Sequence, residues 1–351
     1  MKDIKIGRRV VGEKHPPFIV AEMSGNHNQS IDNALALVDA AAAAGADAIK
    51  LQTYTADTMT IDHDGPEFVV DAKNPLWKGE NLHSLYEKAH TPWDWHAPIF
   101  ARAKEKGLVC FSTPFDPSAV EFLESLGAPC YKVASFENED WPLLEAVAKT
   151  RKPVIVSTGM TDEKIIREIV SVLRKAGCKD LILLKCTSCY PAKVSDSNLR
   201  TIPDMARRFG VHAGLSDHTL GVAAAIASVP LGCRLIEKHF TMDRKDGGVD
   251  SAFSLDPAEL KLLVEGTRAA FDALGTARYG IGPGEKHNVR YKRSVYATAD
   301  IAKGEALTPA NIRVIRPGLG LKPKHYKALL KSRAKRPIKK GTPLSWPLVT
   351  K

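Results

Sequence analysis

Apolar runs of strand length alternate with helix-period segments along most of this chain. Eight such runs occur, and a segment with helical periodicity follows each of them. Runs that are apolar on both faces and separated by helices are typical of parallel strands covered by helices. The runs lie at 18–23, 48–53, 108–115, 130–137, 153–159, 181–188, 211–218 and 235–239.

The segments between the runs carry helix signals. Residues 32–45 begin with Asp and Asn, which favour a helix N-terminus, and end with Gly45. Residues 162–177 and 256–274 are similarly amphipathic. Eight strand–helix units in about 270 residues predict a closed (β/α)8 barrel, an α/β TIM-barrel fold. An open doubly wound sheet is the alternative, and it fits less well because no Gly-x-Gly-x-x-Gly follows the first strand.

The rest of the chain predicts a second, smaller domain. We expect a barrel domain over 1–280 that starts with a short hairpin at 3–12, then a Gly-rich linker at 281–292. Residues 293–351 contain short β-type runs and turns, and we expect them to form a small C-terminal domain. The connection at 54–92 is long, and long loops at a catalytic face often act as lids.

Composition places the chain among ordinary globular proteins. It has 351 residues, of which 44% are hydrophobic and 26% charged, and no apolar run approaches the roughly 20 residues of a membrane span. The first residues lack an apolar segment, so we expect no secretory signal. Six scattered cysteines suit reduced thiols, and we expect a cytoplasmic protein. Cys186 and Cys189 point to opposite faces of a strand, so we assign them no metal or redox role.

Positive charge is concentrated at the C-terminal end. The formal net charge is +10; residues 282–351 hold 17 Lys and Arg against 3 Asp and Glu, or +14, which leaves −4 for residues 1–281. A basic tail can bind nucleic acid, or it can dock on an acidic surface or over an anionic substrate. No stacking aromatics alternate with these cations, so we expect neither a nucleic-acid nor a membrane partner.

Polar residues cluster at the C-terminal strand ends, where barrel enzymes hold their active sites. Lys50 and Lys132 lie inside apolar runs, and buried lysines need anionic partners. Glu22 and Glu137 could pair with these lysines or transfer protons. Hydroxyl groups at neighbouring strand ends would complete a cradle for a phosphate or carboxylate: Thr113, Ser135, Ser157 and Ser216.

Two histidines each end an apolar run. His218 and His239 could share one divalent metal, with positions left open for substrate. Alternatively, each is a core histidine with a backbone partner. Asp250 follows shortly after them in a Gly-Gly-Val-Asp-Ser stretch.

Seven ordered motifs resemble those of the sialic acid synthase family. They are Ala-Glu-Met-Ser-Gly-Asn-His-Asn (21–28), Ile-Lys-Leu-Gln-Thr (49–53), Ser-Thr-Pro-Phe-Asp (112–116), Tyr-Lys-Val-Ala-Ser (131–135), Ser-Thr-Gly-Met (157–160), Leu-Ser-Asp-His-Thr (215–219) and Glu-Lys-His-Phe (237–240). Members of the family condense phosphoenolpyruvate with an N-acetylated aminosugar. The resemblance covers nearly the whole chain and implies a (β/α)8 barrel followed by a small antifreeze-like (SAF) domain.

The resemblance also implies a role for each matching residue. The phosphoenolpyruvate contacts would be Lys50, Thr113, Lys132, Ser135, Ser157 and Ser216. The sugar contacts would be Gln52, Asn81, Phe115, Tyr190 and Asp250, and the catalytic residues Glu22, Glu137, Asp250 and Arg316. His218 and His239 would hold a divalent metal ion, Mn²⁺ in the first place, with Mg²⁺ or Co²⁺ as alternatives. Arg316 would enter the active site of a partner subunit, which implies a homodimer with swapped SAF domains.

Four stretches favour one branch of the family. They resemble the branch whose sugar is 2,4-diacetamido-2,4,6-trideoxy-L-altrose. The alternatives are branches that use N-acetylmannosamine or a 2,4-diacetamido-trideoxy-mannose. The stretches lie at 24–28, 76–82, 91–96 and 247–255.

Overall fold

The computed structural model describes residues 1–71 and 76–350. Part of the predicted lid loop, residues 72–75, and the last residue of the predicted C-terminal domain lie outside the described residues. The chain divides into two compact units, Met1–Gly275 and Thr276–Lys351. The predicted linker at 281–292 falls within the second unit, where Pro283–Tyr291 forms a 3-10 helix.

Eight parallel strands of the first unit close into a barrel in which the last strand pairs with the first. This confirms the predicted (β/α)8 barrel, and the alternative of an open sheet is wrong. A short antiparallel hairpin of β1 (Ile4–Ile6) and β2 (Arg9–Val11) precedes the barrel, as predicted. The barrel strands are β3 (Phe18–Glu22), β4 (Ala48–Thr53), β5 (Val109–Pro114), β6 (Tyr131–Val133), β7 (Val154–Ser157), β8 (Leu181–Cys186), β9 (His212–Ser216) and β10 (Leu235–His239).

Side chains alternate between the interior of the barrel and the helices outside it. On β3, Phe18 and Val20 belong to a small interior apolar cluster, while Ile19 and Ala21 belong to the larger core beneath the helices. The next interior position is Glu22. Most of the other strands repeat this order, for example β5, where Val109 and Phe111 precede Thr113, and β7, where Ile155 precedes Ser157. Strand β9 differs, because its interior row is His212, Gly214 and Ser216. The polar side chains at the strand ends are therefore the C-terminal continuation of the interior rows.

The hairpin fills the N-terminal end of the barrel. Ile4, Ile6 and Val11 belong to the same buried cluster as the interior strand residues. Ile6 and Val11 have no exposed surface. The barrel interior is therefore apolar at this end and polar at the other.

Helices surround the barrel and begin with the expected caps. The Ser30 side chain accepts from the backbone of Asn33, and Gly45 ends the same helix in a left-handed conformation. The helices are α1 (Ile31–Ala44), α2 (Ala56–Met59), α3 (Leu82–Ala89), α4 (Trp93–Lys106), α5 (Pro117–Ser125), α6 (Trp141–Lys149), α7 (Glu163–Lys175), α8 (Thr201–Phe209), α9 (Ala223–Ser228) and α10 (Pro257–Leu274).

The long connection between β4 and α4 is partly helical. It contains α2, a 3-10 turn at Pro66–Phe68, and α3. An isolated bridge between Val69 and Asn81 joins its two described parts.

The second unit has a separate small core. Strands β11 (Ser294–Ala297) and β12 (Ile312–Ile315) pair in antiparallel fashion, and α11 (Tyr326–Leu329) follows. Ile301 and Ile338, which lie in two of the short runs of this unit, pair through a single antiparallel bridge. Across the described parts of both units, no helix combines the length and apolarity that a membrane crossing requires.

Candidate active site

A cavity of about 410 Å³ lies at the C-terminal ends of the barrel strands. The predicted site residues of the first unit line it, with the exception of Asn81. They are Glu22, Lys50, Gln52, Thr113, Phe115, Lys132, Ser135, Glu137, Ser157, Tyr190, Ser216, His218, His239 and Asp250.

Two buried lysines share carboxylate partners at the strand ends. The Lys50 ammonium forms an ion pair with Glu22 and donates to Thr113 Oγ1 at 2.9 Å. Glu237 Oε1 lies 3.8 Å from the Nζ of Lys50 and 3.7 Å from the Nζ of Lys132. The lysines are only 3% and 2% exposed. We call these four charged residues, Glu22, Lys50, Lys132 and Glu237, the strand-end cluster.

The four residues of the strand-end cluster differ in how strongly their surroundings favour the charged form. Burial lowers the pKa of Lys132, although Glu237 opposes the shift. Burial also acts to lower the pKa of Lys50, but the carboxylates of Glu22 and Glu237 outweigh it and raise this pKa. Burial acts to raise the pKa of Glu237, yet the two lysines hold it below its usual range. Burial raises the pKa of Glu22 despite Lys50. Glu22 is therefore the carboxyl of the cluster that accepts a proton most readily.

One hydroxyl group of the predicted cradle has an unused donor. Ser157 Oγ is buried and has no hydrogen-bond partner among the described residues. Ser135 Oγ accepts from the backbone N–H of Gly159 at 3.1 Å. Burial acts to raise the pKa of the neighbouring Cys186 thiol, but the Ser135 hydroxyl helps to lower it. Because buried polar groups normally find partners, these hydroxyls fit an oxygen-rich ligand beside the lysines.

Glu137 is placed differently from Glu22. It ends a 3-10 turn that follows β6, and its buried Oε2 has no hydrogen-bond partner among the described residues. Burial raises its pKa to about 7, although Lys132 opposes the shift. Of the two carboxylates expected to pair with the lysines, Glu22 does so. Within the described chain, the carboxylate within 4 Å of Lys132 is that of Glu237, which sequence reasoning had left without a role.

The two histidines have the donor atoms that a metal ion requires. His218 Nδ1 lies 3.0 Å from the carbonyl oxygen of Thr187, which fixes the proton on Nδ1 and leaves the Nε2 lone pair free. The His218 and His239 ring centroids are 5.3 Å apart. His239 Nδ1 is buried and lies 3.2 Å from Asp250 Oδ2, without the alignment of a hydrogen bond.

This donor set fits a divalent ion held by two imidazoles and completed by substrate or water. Within the described part of the chain, no group of three or more His, Cys, Asp or Glu side chains is already arranged around one point. Asp250 accepts from the hydroxyl of Ser24. Burial acts to raise the pKa of Asp250, but His239 and Ser24 hold it below its usual range. Asp250 is therefore an ionised acceptor beside His239.

Cys186 is a cavity residue that sequence reasoning missed. It is the last interior residue of β8, and its Sγ lies 3.9 Å from His218 Nδ1. Its partner in the Cys-x-x-Cys motif, Cys189, is exposed. The interior alternation of β8 was the available signal, because Ile182 and Leu184 precede Cys186 on the same face.

The glycines near Asp250 allow two loops to approach closely. A Cβ atom on Gly25 would lie 2.6 Å from Val249 Cγ2, and one on Gly248 would lie 2.8 Å from Asn26 Oδ1. The Asn26 oxygen also accepts from the Asp250 backbone at 3.2 Å. The Gly-Gly-Val-Asp stretch is thus packed against the loop after β3, which positions Asp250.

Asn81 is the predicted site residue of the first unit that does not line the cavity. Asn81 Oδ1 accepts from the backbone N–H groups of His83 at 2.9 Å and Ser84 at 3.3 Å, so this side chain is the N-cap of α3. Its Nδ2 donates to the carbonyl of His63 at 3.0 Å. Arg316 is an exposed residue of the second unit. Their predicted roles stay predictions.

Comparison with known proteins gives matches to both units. The model of the NeuB family matches residues 37–279, and that of the SAF domain matches residues 292–350. The chain is 43% identical over 327 residues to the pseudaminic acid synthase of Campylobacter jejuni subsp. jejuni serotype O:2, covering 93% of this chain and 95% of that protein. It is 44% identical over 331 residues to the pseudaminic acid synthase of Helicobacter pylori, covering 94% and 97%.

A solved structure supports the same architecture. The N-acetylneuraminic acid (sialic acid) synthetase of Leptospira borgpetersenii serovar Hardjo-bovis, in complex with citrate, superposes with a TM-score of 0.72 at 30% identity. The match covers 83% of this chain and 96% of that one.

Proposed function

The chain belongs to the NeuB family, and from that premise we propose that it is a pseudaminic acid synthase. The enzyme is a transferase that condenses phosphoenolpyruvate with 2,4-diacetamido-2,4,6-trideoxy-L-altrose, giving pseudaminic acid and phosphate. One observation carries the chemistry: the strand-end cluster and the imidazole pair line the same cavity. The choice of sugar is supported by the high identity to pseudaminic acid synthases along nearly the full chain.

Phosphoenolpyruvate binds at the strand-end cluster. Lys50 and Lys132 supply positive charge that water screens little, because both are buried. Ser157 donates its unused O–H to a phosphate or carboxylate oxygen. Glu22 takes up a proton when the anion arrives, since burial has already raised its pKa, and this leaves Lys50 free to face the substrate.

His218 and His239 hold the divalent ion, which we propose to be Mn²⁺, with Mg²⁺ or Co²⁺ as alternatives. When bound, such an ion supplies Lewis-acid polarisation of the C1 aldehyde of the open-chain sugar. The Thr187 carbonyl fixes the His218 ring so that Nε2 is available. Asp250, positioned by Ser24 and the Asn26 loop, orients a sugar hydroxyl next to His239.

The condensation forms a C–C bond between the two substrates and a C–O bond from water to C2, and it breaks the bond between C2 and the bridging oxygen of phosphoenolpyruvate. C3 of phosphoenolpyruvate attacks the aldehyde carbon, whose oxygen gains a proton, and C2 becomes oxocarbenium-like. Water adds to C2 and gives up a proton, after which phosphate leaves with the bridging oxygen and C2 becomes the ketone. The lysines stabilise the negative charge on the carboxylate and the departing phosphate.

Glu137 manages the proton of the attacking water. Its pKa of about 7 and its unpaired Oε2 suit proton exchange near neutral pH. Glu22 is the alternative, but its ion pair with Lys50 gives it the role of balancing charge in the strand-end cluster.

The active assembly is a homodimer in the cytoplasm. Arg316 from a second copy of the chain enters the cavity mouth and contacts the sugar, as the family resemblance implies. Arg316→Ala should therefore lower activity while leaving the dimer intact in sedimentation. An unchanged kcat/KM would contradict this role.

A substrate panel tests the proposed function. Phosphate release from phosphoenolpyruvate is measured with the trideoxy-altrose, with N-acetylmannosamine and with the corresponding trideoxy-mannose. Product masses are determined, and each reaction is run with and without chelator. We expect turnover of the altrose derivative and loss of turnover on chelation. When the bridging oxygen of phosphoenolpyruvate is labelled with ¹⁸O, we expect the label in the released phosphate.

Three results of the panel would overturn the proposal. Preferred turnover of N-acetylmannosamine would make the enzyme an N-acetylneuraminate synthase. Preferred turnover of the mannose isomer would make it a legionaminic acid synthase. Bridging ¹⁸O retained in the sugar acid would reject C–O cleavage.

A further inference from the structure

Helix α3 presents an apolar face to the cavity. Leu82, Leu85, Tyr86 and Ala89 all line the cavity, and their i, i+3, i+4, i+7 spacing places them on one side of the helix. An amphipathic helix normally buries such a face in the protein core. None of the residues of α3 is fully buried. The apolar face is therefore directed at the volume where substrate binds.

The same side of the cavity continues beyond α3. Trp77 lines it and donates from Nε1 to the backbone carbonyl of Val249 at 3.0 Å, one residue before Asp250. The Tyr54 ring packs edge-on against Tyr86 at 5.8 Å and against Phe115 at 5.1 Å. We call Leu82, Leu85, Tyr86, Ala89 and Trp77 the α3 wall.

The α3 wall has chemistry unlike that of the rest of the cavity. The strand-end cluster and the imidazole pair account for phosphoenolpyruvate and for the reacting aldehyde. The wall consists of the aliphatic side chains of Leu82, Leu85 and Ala89, the ring of Tyr86 and the indole of Trp77. Its polar groups are the Tyr86 hydroxyl and the indole N–H, which is donated to the backbone carbonyl of Val249. It therefore suits the part of the sugar that does not react.

We propose that the α3 wall is the specificity subsite for the apolar substituents of the sugar, namely the C6 methyl and the methyl of the C4 acetamido group. This inference rests on the proposed function and adds residues that determine its substrate. With C1 at the imidazole pair, the far end of the sugar lies against α3. A 6-hydroxyl group packed against Leu82, Leu85 and Ala89 would lose its hydrogen bonds to water and find no partner on these three side chains.

A matched pair of sugars measures the subsite. One is 2,4-diacetamido-2,4,6-trideoxy-L-altrose, and the other differs from it only by a hydroxyl on C6. For the wild-type enzyme we expect kcat/KM to favour the 6-deoxy sugar by about 10²-fold, the scale on which an apolar pocket rejects an added hydroxyl.

Leu85→Asn should reduce this preference by about tenfold, mainly through a higher KM for the 6-deoxy sugar. Ala89→Ser, a smaller change on the same face, should reduce it in the same direction. Leu85→Met, which keeps an apolar side chain at this position, should retain the wild-type preference for the 6-deoxy sugar. The KM for phosphoenolpyruvate should stay constant in all three variants, because its cradle belongs to the strands.

Glu87→Gln is the matched control. Glu87 lies on the exposed face of α3, so its substitution should change neither the preference nor either KM. The inference would be overturned if Leu85→Asn and Ala89→Ser changed kcat/KM by the same factor for both sugars. It would also be overturned if the wild-type enzyme had the same kcat/KM for the two sugars. If Leu85→Asn fails to fold, Ala89→Ser decides the question.

The proposed function can fail separately. If the wild-type enzyme turns over N-acetylmannosamine instead of the altrose derivative, the function is rejected. The wall is then tested with N-acetylmannosamine and its 6-deoxy form. If the enzyme prefers the 6-deoxy form and Ala89→Ser removes this preference, the subsite is supported although the proposed function is wrong. If the enzyme shows no such preference, the subsite is rejected.

Discussion

The strand-end cluster and the α3 wall face one cavity, but their side chains are held in different ways. Lys50 and Lys132 extend from hydrogen-bonded barrel strands and are almost fully buried. Leu85 and Tyr86 extend from a two-turn helix in a chain connection and are half-buried. Burying the ions costs several kcal/mol each unless their partners are fixed, so they require the rigid sheet. On the proposed function, the reaction therefore depends on side chains of the barrel strands, whereas the choice of sugar depends on a helix in the connection between two strands.

Removing an imidazole tests the side of the cavity that performs chemistry, and it should have the largest effect. His218→Ala or His239→Ala should lower kcat/KM by about 10³-fold or more, because Lewis-acid stabilisation contributes several kcal/mol. Mn²⁺ affinity, measured by titration calorimetry, should fall in parallel while the circular dichroism spectrum stays unchanged.

His15→Ala is the control for the metal prediction, since His15 lies at the other end of the barrel beside Asp3. It should bind Mn²⁺ like the wild type. Unchanged Mn²⁺ affinity in both His218→Ala and His239→Ala would show that these residues are core histidines.

Replacing one lysine separates charge from shape within the strand-end cluster. Lys132→Met keeps the length of the side chain but should lower kcat/KM by about 10²- to 10³-fold. It also leaves the Glu237 carboxylate with Lys50 alone, so the free energy of unfolding should fall by about 3 kcal/mol. Steady-state kinetics and urea denaturation measure the two effects.

The sugar preference of Lys132→Met sharpens the comparison. If the cluster and the α3 wall are independent, the ratio of kcat/KM for the two matched sugars should equal that of the wild type. A changed ratio would mean that the two parts of the cavity act together.

Glu137 lies in the same cavity as both regions, and its titration should be visible in activity and stability. The folded pKa of about 7 exceeds the 4.5 of the free carboxyl, so the folded state favours the protonated form. Its contribution to stability is fully present below about pH 4.5 and disappears as the pH rises through 7. The melting temperature of Glu137→Gln, compared with that of the wild type, should therefore rise as the pH increases from about 4.5 to about 7.

The same substitution should remove an inflection near pH 7 from the kcat/KM profile. Glu139→Gln, at an exposed position, serves as the control for both measurements. A wild-type inflection that persists in Glu137→Gln would return the proton role to Glu22.

Asn81 should give the smallest effect, and it distinguishes a sugar contact from a helix cap. If Asn81 acts through its cap on α3, Asn81→Ala should lower the free energy of unfolding by about 1 kcal/mol. Asn81→Ser keeps a capping oxygen and should restore most of that loss. A sugar KM that rises to the same extent in both variants would instead support direct binding.

The barrel was predictable because its signal repeats. Eight apolar runs separated by helical segments leave few other folds, and strand bounds such as Leu235–His239 coincide with the predicted run. The mixed structure of 54–92 was not predictable in this way. Helix α3 has only two turns, so its period spans too few residues to separate it from the rest of the loop, and its apolar face does not pack in the main core.

The site residues were predictable where the reason for their presence is local. A lysine inside an apolar strand, such as Lys50, indicates an anion partner from sequence alone. Which carboxylate pairs with Lys132 was not predictable, because Glu237 lies 105 residues away in the chain (237 − 132), on the last barrel strand. The hydrogen bond from Trp77 to Val249 likewise depends on a long-range contact that no local pattern encodes.

The hairpin at the start of the chain has a kinetic consequence. Because Ile4, Ile6 and Val11 fill the N-terminal end of the barrel, reactants pass through the mouth beside α3. Phosphoenolpyruvate must reach the buried lysines before a sugar covers them, so we expect compulsory-order kinetics with the sugar second. Steady-state inhibition by an unreactive phosphoenolpyruvate analogue should then be competitive against phosphoenolpyruvate and noncompetitive against the sugar. A fold feature far from the reacting atoms would thereby determine the sequence in which the two substrates are taken up.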